Sequence, residues 1–390
     1  MMKMHGTLAL LLYIPVSSWA FSGTEGASFL DIPVGGGPAA LGSAYTAQAT
    51  DAYAPVYNPG GLGFLSSTQI GAQHLSYLDS INYEFISFVH PFEEQGGGVG
   101  FSTQYLGSGS ISQTDTQGNL VGAYTSHYAS YNVAYGRKYT KNLSLGITGK
   151  LIDAEINNTA AQSYAADFGA FYRYSDRLDL AGSLTNVGTR LQFVNQPDPL
   201  PLALHLAADY QPLQHWNTSL EGIYRRTGLA GIHAGVEWNP MQLVSLRAGY
   251  RTDATAGLST MAGLTTGIGI HIWDSELDYA WLPAGDLGNT QYISFVARFW
   301  EIDVANPRRD LIHFHHREGG SVNQAFITDP NDQMDSEDKA QLIELLSNSD
   351  EKVAQAPAGD NTNVMQVAPP SNPPMTVHDM SHYNPNQEDR

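Results

Sequence analysis

The chain contains no cysteine, and it is poor in basic residues, with 19 lysines and arginines against 38 acidic residues among 390. Without cysteine it has no disulfide framework, zinc–thiolate site or thiol nucleophile. A formal net charge of −19 disfavours contact with phosphate backbones, so we expect no nucleic-acid partner. Beyond the first 20 residues no stretch approaches the roughly 18 consecutive apolar residues of a transmembrane helix, and none is predicted.

Sequence signatures of catalysis are also missing. There is no GxSxG elbow, HExxH helix or GxxxxGK[ST] phosphate loop. His313, His315 and His316 are clustered, but no second ligand group at a fixed spacing accompanies them, which favours a solvated linker over a metal site. The sequence therefore predicts no enzyme, no metal site and no cofactor. Catalysis by scattered residues of a barrel stays open as an alternative.

The first 20 residues are typical of a cleaved signal peptide. Lys3 supplies the positive charge, Thr7 to Val16 form a short apolar segment, and Ser18-Trp19-Ala20 is a small-x-small cleavage site. A membrane anchor is the alternative, but the apolar segment is too short to cross a bilayer. We therefore expect export from the cytoplasm.

The main positive signal is a two-residue alternation of apolar and polar side chains between residues 67 and 300. Leu143, Leu145 and Ile147, for example, alternate with Ser144 and Thr148. Most segments have about 9 to 12 residues, near the length of a tilted membrane strand. The sequence predicts an all-β fold, a 14-stranded antiparallel transmembrane β-barrel with apolar residues towards lipid and polar residues towards the lumen. The predicted strands are 67–78, 81–91, 97–110, 119–137, 142–156, 162–175, 178–187, 201–211, 216–226, 229–238, 242–251, 261–272, 275–283 and 290–300.

Charged residues within these segments fall on the polar phase. On the lipid face each charge would cost roughly 2–4 kcal/mol at the midplane, so their phase supports the barrel. They either line a pathway or form interior ion pairs that stiffen the barrel. The lumen-lining candidates are Lys150, Asp167, Arg173, His205, Asp209, Glu221, His233, Glu237, Arg247, His271, Glu276, Asp278 and Arg298.

The region before the strands, residues 21–66, does not alternate. Ala39–Ala49 is rich in small residues and predicts one short helix, and Asn58-Pro59-Gly60 is a strong turn signal. The region is too short and too polar to form a domain, so we expect a hatch that plugs the barrel lumen. The candidates for gating are Gly42, Asp51, Tyr57, Asn58 and Pro59, with simple capping of turns as the alternative.

The alternation of apolar and polar residues ends near residue 300, after a last strand that closes on an aromatic residue. The last strand places Ile293, Phe295 and Phe299 on one face and ends on an aromatic residue, which is typical of a barrel-assembly signal or of any edge strand. Residues 301–390 lose the alternation and are acidic, so we expect a mostly disordered tail. One amphipathic helix is predicted near 335–348.

Several stretches resemble the PorV/PorQ family of FadL-like outer-membrane barrels. Gly42–Ala47, Asp51 and Tyr57–Leu62 are similar to its hatch string, close to MGGAF…DD…YWNPAGL, with Ser43 in place of a glycine and Gly60 in place of an alanine. Three later stretches resemble family segments in the same order: Thr185–Gly188 with Pro199–Leu202, Glu237-Trp238 with Leu246–Tyr250, and Asp278–Ala280 with Gly285–Thr290 and Phe299. The likeness covers about residues 27 to 300.

The resemblance implies a plugged, fourteen-stranded barrel in the bacterial outer membrane, with a periplasmic tail because the strand number is even. FadL passes hydrophobic molecules, whereas PorV-type members assist protein export by the type IX secretion system. We therefore expect a role in transport or protein export without catalysis. The alternatives are a FadL-like uptake channel for hydrophobic small molecules, an anchor whose tail recruits a periplasmic partner, and a soluble secreted β-protein. The implied partners are outer-membrane lipid, a secretion-system or periplasmic protein, and a hydrophobic ligand.

Overall fold

The computed structural model describes residues 25–77, 81–92, 96–255, 260–283 and 288–301. The predicted signal peptide, the predicted tail from 302 onward and its helix near 335–348 lie outside the described residues. Within these ranges no helix is long and apolar enough to cross a bilayer.

Fourteen antiparallel strands form one closed barrel, which confirms the predicted fold class. The barrel closes because β1 pairs with β18. Four further strands form two small hairpins, β4 with β5 and β10 with β11. The strands are β1 (Ser67–Tyr77), β2 (Ile81–Phe92), β3 (Gly97–Gly107), β4 (Ile111–Thr114), β5 (Leu120–Tyr124), β6 (Ser126–Lys138), β7 (Leu143–Ile156), β8 (Thr159–Ser175), β9 (Leu178–Gly188), β10 (Leu191–Gln192), β11 (Pro197–Asp198), β12 (Ala203–Leu213), β13 (Trp216–Arg225), β14 (Ala230–Met241), β15 (Val244–Arg251), β16 (Leu264–Ile272), β17 (Ser275–Pro283) and β18 (Asn289–Glu301).

The predicted strand 119–137 is wrong as a single element. It divides at Thr125 into β5, which pairs with β4 outside the barrel, and β6, which belongs to the barrel. The expected strand 97–110 ends at Gly107, and residues 108–110 are not in a strand. Because β3 ends there, β5 has no barrel strand beside it and pairs with β4 instead.

The two ends of the barrel differ. At the turn end, where β1 begins and β18 ends, connections between strands have at most four residues. At the opposite loop end, three connections are long: 108–125, 189–202 and 252–263. Short turns at one end and long loops at the other are typical of outer-membrane barrels.

The outer surface of the barrel is apolar, as predicted from the alternation. Ile86, Val133 and Leu206 are each more than half exposed on outward positions. Exposed aromatic residues lie near both ends of this surface: Tyr105, Tyr164, Tyr224 and Tyr250 towards the loop end, and Tyr172, Tyr210, Trp216 and Trp238 towards the turn end. From Trp216 to Tyr224 the strand rises about 20 Å along the barrel axis, at about 3.3 Å per residue and a tilt of about 40°. This height is near that of a membrane barrel's apolar band.

Residues 25–66, called the plug below, fold into four short helical segments. They are a 3₁₀ turn at Ser28–Asp31, α1 (Gly36–Ala40), α2 (Ala54–Tyr57) and a 3₁₀ segment at Pro59–Phe64. The helix expected within Ala39–Ala49 starts earlier and stops at Ala40. Gly42 and Ser43 follow with φ angles of 66° and 61°, and this left-handed backbone ends a right-handed helix.

Candidate functional site

The plug runs through the lumen from the loop end to the turn end. Near its start, the Gly26 amide donates to the Pro199 carbonyl in a loop-end connection, at 2.9 Å. Near its finish, the ring of Phe64 packs on Phe171 with centroids 5.4 Å apart, and the Arg173 guanidinium lies 4.1 Å from the same Phe64 ring. Arg173 and Phe171 lie close to the turn end of β8. The candidate site is therefore the contact surface between plug and wall.

A row of glycines allows the plug backbone to touch the wall on one side. Gly98, Gly136, Gly146 and Gly169 are successive cross-strand partners on β3, β6, β7 and β8. A Cβ at Gly136 would lie 2.2 Å from the Pro59 carbonyl oxygen, and one at Gly146 would lie 2.2 Å from the Pro59 carbonyl carbon. Real Cβ atoms do not approach backbone so closely, so only glycine fits along this row.

A second group of glycines contacts the plug on the opposite wall. Gly235 and Gly249 are partners on β14 and β15. A Cβ at Gly249 would lie 2.2 Å from the Gly42 amide nitrogen, and one at Gly235 would lie 2.6 Å from the Leu41 carbonyl oxygen. Two predicted hatch residues, Gly42 and Pro59, therefore lie where plug backbone meets wall backbone.

The other hatch candidates form bonds that hold plug turns. Asn58 is fully buried; its amide donates to the carbonyls of Thr46 and Ala170, each at 3.1 Å, and its Oδ1 accepts from the Gly60 amide. The Tyr45 hydroxyl donates to Asp51 at 2.5 Å. The Tyr57 hydroxyl donates to the Val34 carbonyl at 2.9 Å. Asn58 thus links the plug to the wall, while the bonds from Tyr45 to Asp51 and from Tyr57 to Val34 join parts of the plug.

The structure places all thirteen lumen-lining candidates on the inner side of the barrel, buried or partly buried. Three of the candidate carboxylates surround the guanidinium of a fourth candidate, Arg247. Arg247 donates to Glu237 at 2.5 Å, to Glu276 at 2.7 Å and to Asp278. Arg298 donates to Glu276 at 2.7 Å, and the His271 ring nitrogen lies 3.9 Å from the same Glu276 carboxylate. The cluster packs against the start of α1. A Cβ added at Gly37 would lie only 3.1 Å from side-chain atoms of both Arg247 and Asp278.

Four of the seven remaining candidates form two ion pairs, one between β7 and β8 and one between β12 and β13. Lys150 binds Asp167 at 2.7 Å, and His205 binds Glu221 at 2.8 Å. Two wall carboxylates reach the plug directly. Glu221 accepts from the Thr46 amide at 3.1 Å, and Asp209 accepts from the Gln48 side chain at 2.9 Å. These charges connect the plug to the wall.

An ionic group at the loop end joins the predicted His233 to Arg225, Arg251 and Asp253, which the sequence pattern did not indicate. Asp253 accepts from Arg225 at 3.0 Å, Arg251 at 3.3 Å and His233 at 2.9 Å, and Arg225 also lies 3.4 Å from Asp31 of the plug. Burial alone would raise the pKa of Asp253, but its bonds to His233 and Arg251 outweigh this and lower the pKa. Burial raises the pKa of Asp31, partly offset by Arg225. Arg225 and Arg251 are the last residues of their strands, and Asp253 lies beyond one. The alternation therefore does not assign their side chains to the inner or the outer face.

The inner face of β1–β3 was also not predicted. Leu75, Phe85 and Val89 point inward and are buried, and the Phe85 ring lies 5.9 Å from that of Tyr53 in the plug. Gln69 accepts from the Ala52 amide at 3.1 Å. A signal was present in β2, where the inward positions Tyr83, Phe85 and Val89 are apolar in a phase that is polar in most other strands.

The predicted barrel-assembly residues lie on the outer surface. Ile293, Phe295 and Phe299 of β18 are exposed by 51%, 43% and 41%. Phe299 pairs with Thr68 next to an irregularity in the β1–β18 register. Among the described side chains, no three His, Asp or Glu residues form a group suited to a metal ion.

Comparison with known proteins supports the fold. The sequence model of an uncharacterised protein family, UPF0164, matches residues 18–164. The toluene transporter TbuX of Ralstonia pickettii superposes with a TM-score of 0.51 at 13% identity, covering 68% of this chain and 98% of TbuX. A Pseudomonas aeruginosa FadL homologue gives a TM-score of 0.45 at 12% identity, covering 68% of this chain and 97% of its own. A search of curated protein sequences finds no match. At these identities the likeness establishes a barrel fold shared with TbuX, and nothing about what this chain carries.

Proposed function

We propose that this chain is an outer-membrane β-barrel that acts in transport across that membrane, with a plug that restricts its lumen and no chemical reaction of its own. The apolar outer surface between two sets of aromatic residues supports the membrane location. The short connections at the turn end support a periplasmic position for that end and for the tail that follows β18. The signal peptide predicted at residues 1–20 supplies the export route.

One observation carries the proposal. The plug backbone touches glycine-lined surfaces on opposite walls, so it crosses the lumen between them. In this proposal a solute passes when the plug shifts, and a ligand or partner acts by favouring one plug arrangement over another. The polar bonds from Glu221 and Asp209 are the contacts that such a shift would exchange for water.

The experiment compares the intact chain with a variant lacking Ala39–Leu62 in proteoliposomes. Without the segment that touches both glycine surfaces, we expect conductance and solute permeation to rise by at least an order of magnitude. A variant lacking Ile111–Tyr124 leaves the plug in place and should conduct like the intact chain. Equal permeation with and without Ala39–Leu62 argues against a gated pore.

A second candidate is an accessory role in protein export of the PorV/PorQ kind. The resemblance of the hatch motifs supports it, and so does the exposed hairpin of β4 and β5. Leu120 and Val121 in this hairpin are exposed by 71% and 58%, beyond the end of the barrel strands. An isolated two-stranded hairpin is only marginally stable in water, so apolar residues there favour contact with another protein.

Replacing Leu120 and Val121 by serine tests the export role in cells that secrete type IX substrates. We expect reduced secretion with unchanged amounts of barrel in the outer membrane. The matched control replaces Ile232 and Val236, which face outward within the membrane band, by alanine and should secrete normally. Normal secretion by the Leu120/Val121 variant would remove the export role of this hairpin.

Two further alternatives remain proposals. An anchor role predicts that removing residues 306–390 abolishes a complex with a periplasmic partner; unchanged complexes after truncation would eliminate it. A FadL-like uptake role predicts an apolar pocket between plug and wall for a hydrophobic ligand. A small chamber between plug and wall is lined by Ile32 and Val34 but also by Glu221 and Arg225, and these mixed walls weaken uptake of hydrocarbons by that route.

A further inference from the structure

A hollow lies on the outer surface of the barrel, across β18, β1, β2 and β3, the strands next to the closure. Its volume is about 520 Å³. The short outward side chains of Ala72 and Thr103 form its floor, and the longer side chains that surround them are Ile86, Tyr105, Ile293 and Phe295. Walls of this mainly apolar kind suit the acyl chain of a lipid.

An ion pair lies on the rim of the hollow towards the loop end. His74 Nδ1 is 2.7 Å from Glu84 Oε1, and the two side chains are exposed by 55% and 48%. His74 follows Ser67, the first residue of β1, by seven residues, which is about 18 Å from the turn end. The cross-strand partner of Glu84 is Tyr105, one of the loop-end aromatic residues. The pair therefore lies at the level of lipid head groups.

Of the outward carboxylates, Glu84 lies closest to the middle of the apolar band. Among the strand side chains that the structure describes, the other two are Asp153 and Glu155 on β7. They follow the turn-end residue Leu143 by ten and twelve residues, or about 25 and 30 Å. Glu84 is eight residues from Phe92, the turn-end residue of β2, or about 20 Å. A carboxylate so near the lipid is unfavourable unless a partner neutralises it.

The carboxylate of Glu84 has one oxygen available to a ligand. It bonds His74 through Oε1, and Oε2 has no hydrogen-bond partner among the described residues. At the edge of a low-dielectric band, such an oxygen favours a cation that also donates hydrogen bonds. A primary ammonium does both. A phosphate without an amine has the same sign of charge as Glu84 and is repelled, and a quaternary ammonium has no N–H to donate.

We infer that the hollow binds one membrane lipid whose head group carries a primary ammonium, as in phosphatidylethanolamine. The ammonium donates to Glu84, and an acyl chain lies over Ala72 and Thr103 between Ile86 and Phe295. The site is on the outer surface and does not involve the plug. The inference thus goes beyond the proposed function, since it rests on the membrane location and not on transport.

Native mass spectrometry tests the inference on the full-length chain, released from nanodiscs of equal parts phosphatidylethanolamine, phosphatidylcholine and phosphatidylglycerol. We expect one phosphatidylethanolamine to stay bound to each chain, in at least about tenfold excess over either of the other lipids, because a hydrogen bond between charged groups is worth about that factor or more. Phosphatidylcholine has the same net charge but no N–H donor, so the comparison isolates the hydrogen bond.

Two variants with matched controls test the residues. Glu84→Gln should lower the retention of phosphatidylethanolamine to that of phosphatidylcholine. Asp153→Asn changes another outward carboxylate, which lies outside the hollow, 3.8 Å from His127, and should retain the lipid like the unmodified chain. Ala72→Phe fills the floor of the hollow and should abolish the preference. Ala234→Phe places the same side chain at an outward position of β14, away from the hollow, and should keep it.

Equal retention of the three lipids means an unspecific lipid layer only and overturns the inference. So does a preference for phosphatidylethanolamine that either Glu84→Gln or Ala72→Phe leaves unchanged. A dimer that Ala72→Phe separates means that the hollow receives a second copy of the chain, and it also overturns the lipid site. A chain that stays in solution without detergent and retains no lipid removes the membrane location as well. A chain that needs detergent but shows no lipid preference loses only this inference.

Discussion

On β1–β3 the described side chains that point into the barrel are neutral, whereas on β12–β18 they include a dense set of ionic groups. The plug fits both surfaces by different chemistry. Against β1–β3 it packs Tyr53 on Phe85 and donates its Ala52 amide to Gln69. Against β12–β18 it donates backbone and amide groups to Glu221 and Asp209.

The two surfaces differ in how readily their contacts with the plug can be replaced by contacts with water. Apolar contacts between plug and β1–β3 resist separation because parting them exposes apolar surface. Carboxylates that accept from the plug on β12–β18 can accept from water instead, at little net cost. We therefore expect the plug to remain against β1–β3 when it moves and to part from β12–β18.

The largest expected effect comes from the ionic side. Arg247→Met leaves Glu237, Glu276 and Asp278 buried without their shared cation. We expect the free energy of unfolding to fall by about 3–5 kcal/mol, measured by urea titration in lipid vesicles. Phe85→Leu on the neutral side should cost only about 1–2 kcal/mol, since the side chain stays apolar. A smaller loss for Arg247→Met than for Phe85→Leu would reverse the comparison.

The glycine surfaces should respond alike on both sides. Gly146→Ala and Gly249→Ala place a Cβ against plug backbone, and each should cost about 1–3 kcal/mol or more in heat-induced unfolding. Gly149 lies on the same strand as Gly146, but a Cβ there would meet no atom within 4 Å. The free energy of unfolding of Gly149→Ala should therefore stay within about 0.5 kcal/mol of that of the unmodified chain. Equal losses for Gly146→Ala and Gly149→Ala would show that the plug does not press on the wall.

The smallest effect should be the pH dependence of the loop-end ion group. Since the pKa of Asp253 is lowered in the folded protein, its contribution to stability is complete above an ordinary carboxylate pKa of about 4 and is lost as the pH falls below it. Asp253→Asn should lower stability by about 1–2 kcal/mol between about pH 5 and 8. The difference in the free energy of unfolding between the variant and the unmodified chain should shrink below about pH 4. A gap that widens in acid would contradict the lowered pKa.

Much of the fold was readable from the sequence because a strand repeats every two residues. The phase of Arg247, Glu276 and Asp278 followed from their neighbours alone. The division at Thr125 was not readable, because a segment that leaves the membrane can keep alternating. The plug region was identified by its loss of alternation, but the short helix was misplaced, since the left-handed backbone at Gly42 and Ser43 carries no periodic signal.

The alternation along each strand is enough to assign its side chains to one face or the other, because side-chain direction follows from chain position within a strand. Which faces meet across the lumen depends on the closure of the barrel through β1 and β18 and on the course of the plug. Cross-strand register aligns Gly98, Gly136, Gly146 and Gly169, and the path of the plug brings Thr46 to Glu221 and Gln48 to Asp209. Contacts between residues so distant in the chain depend on how the strands close and where the plug lies, which no local pattern encodes.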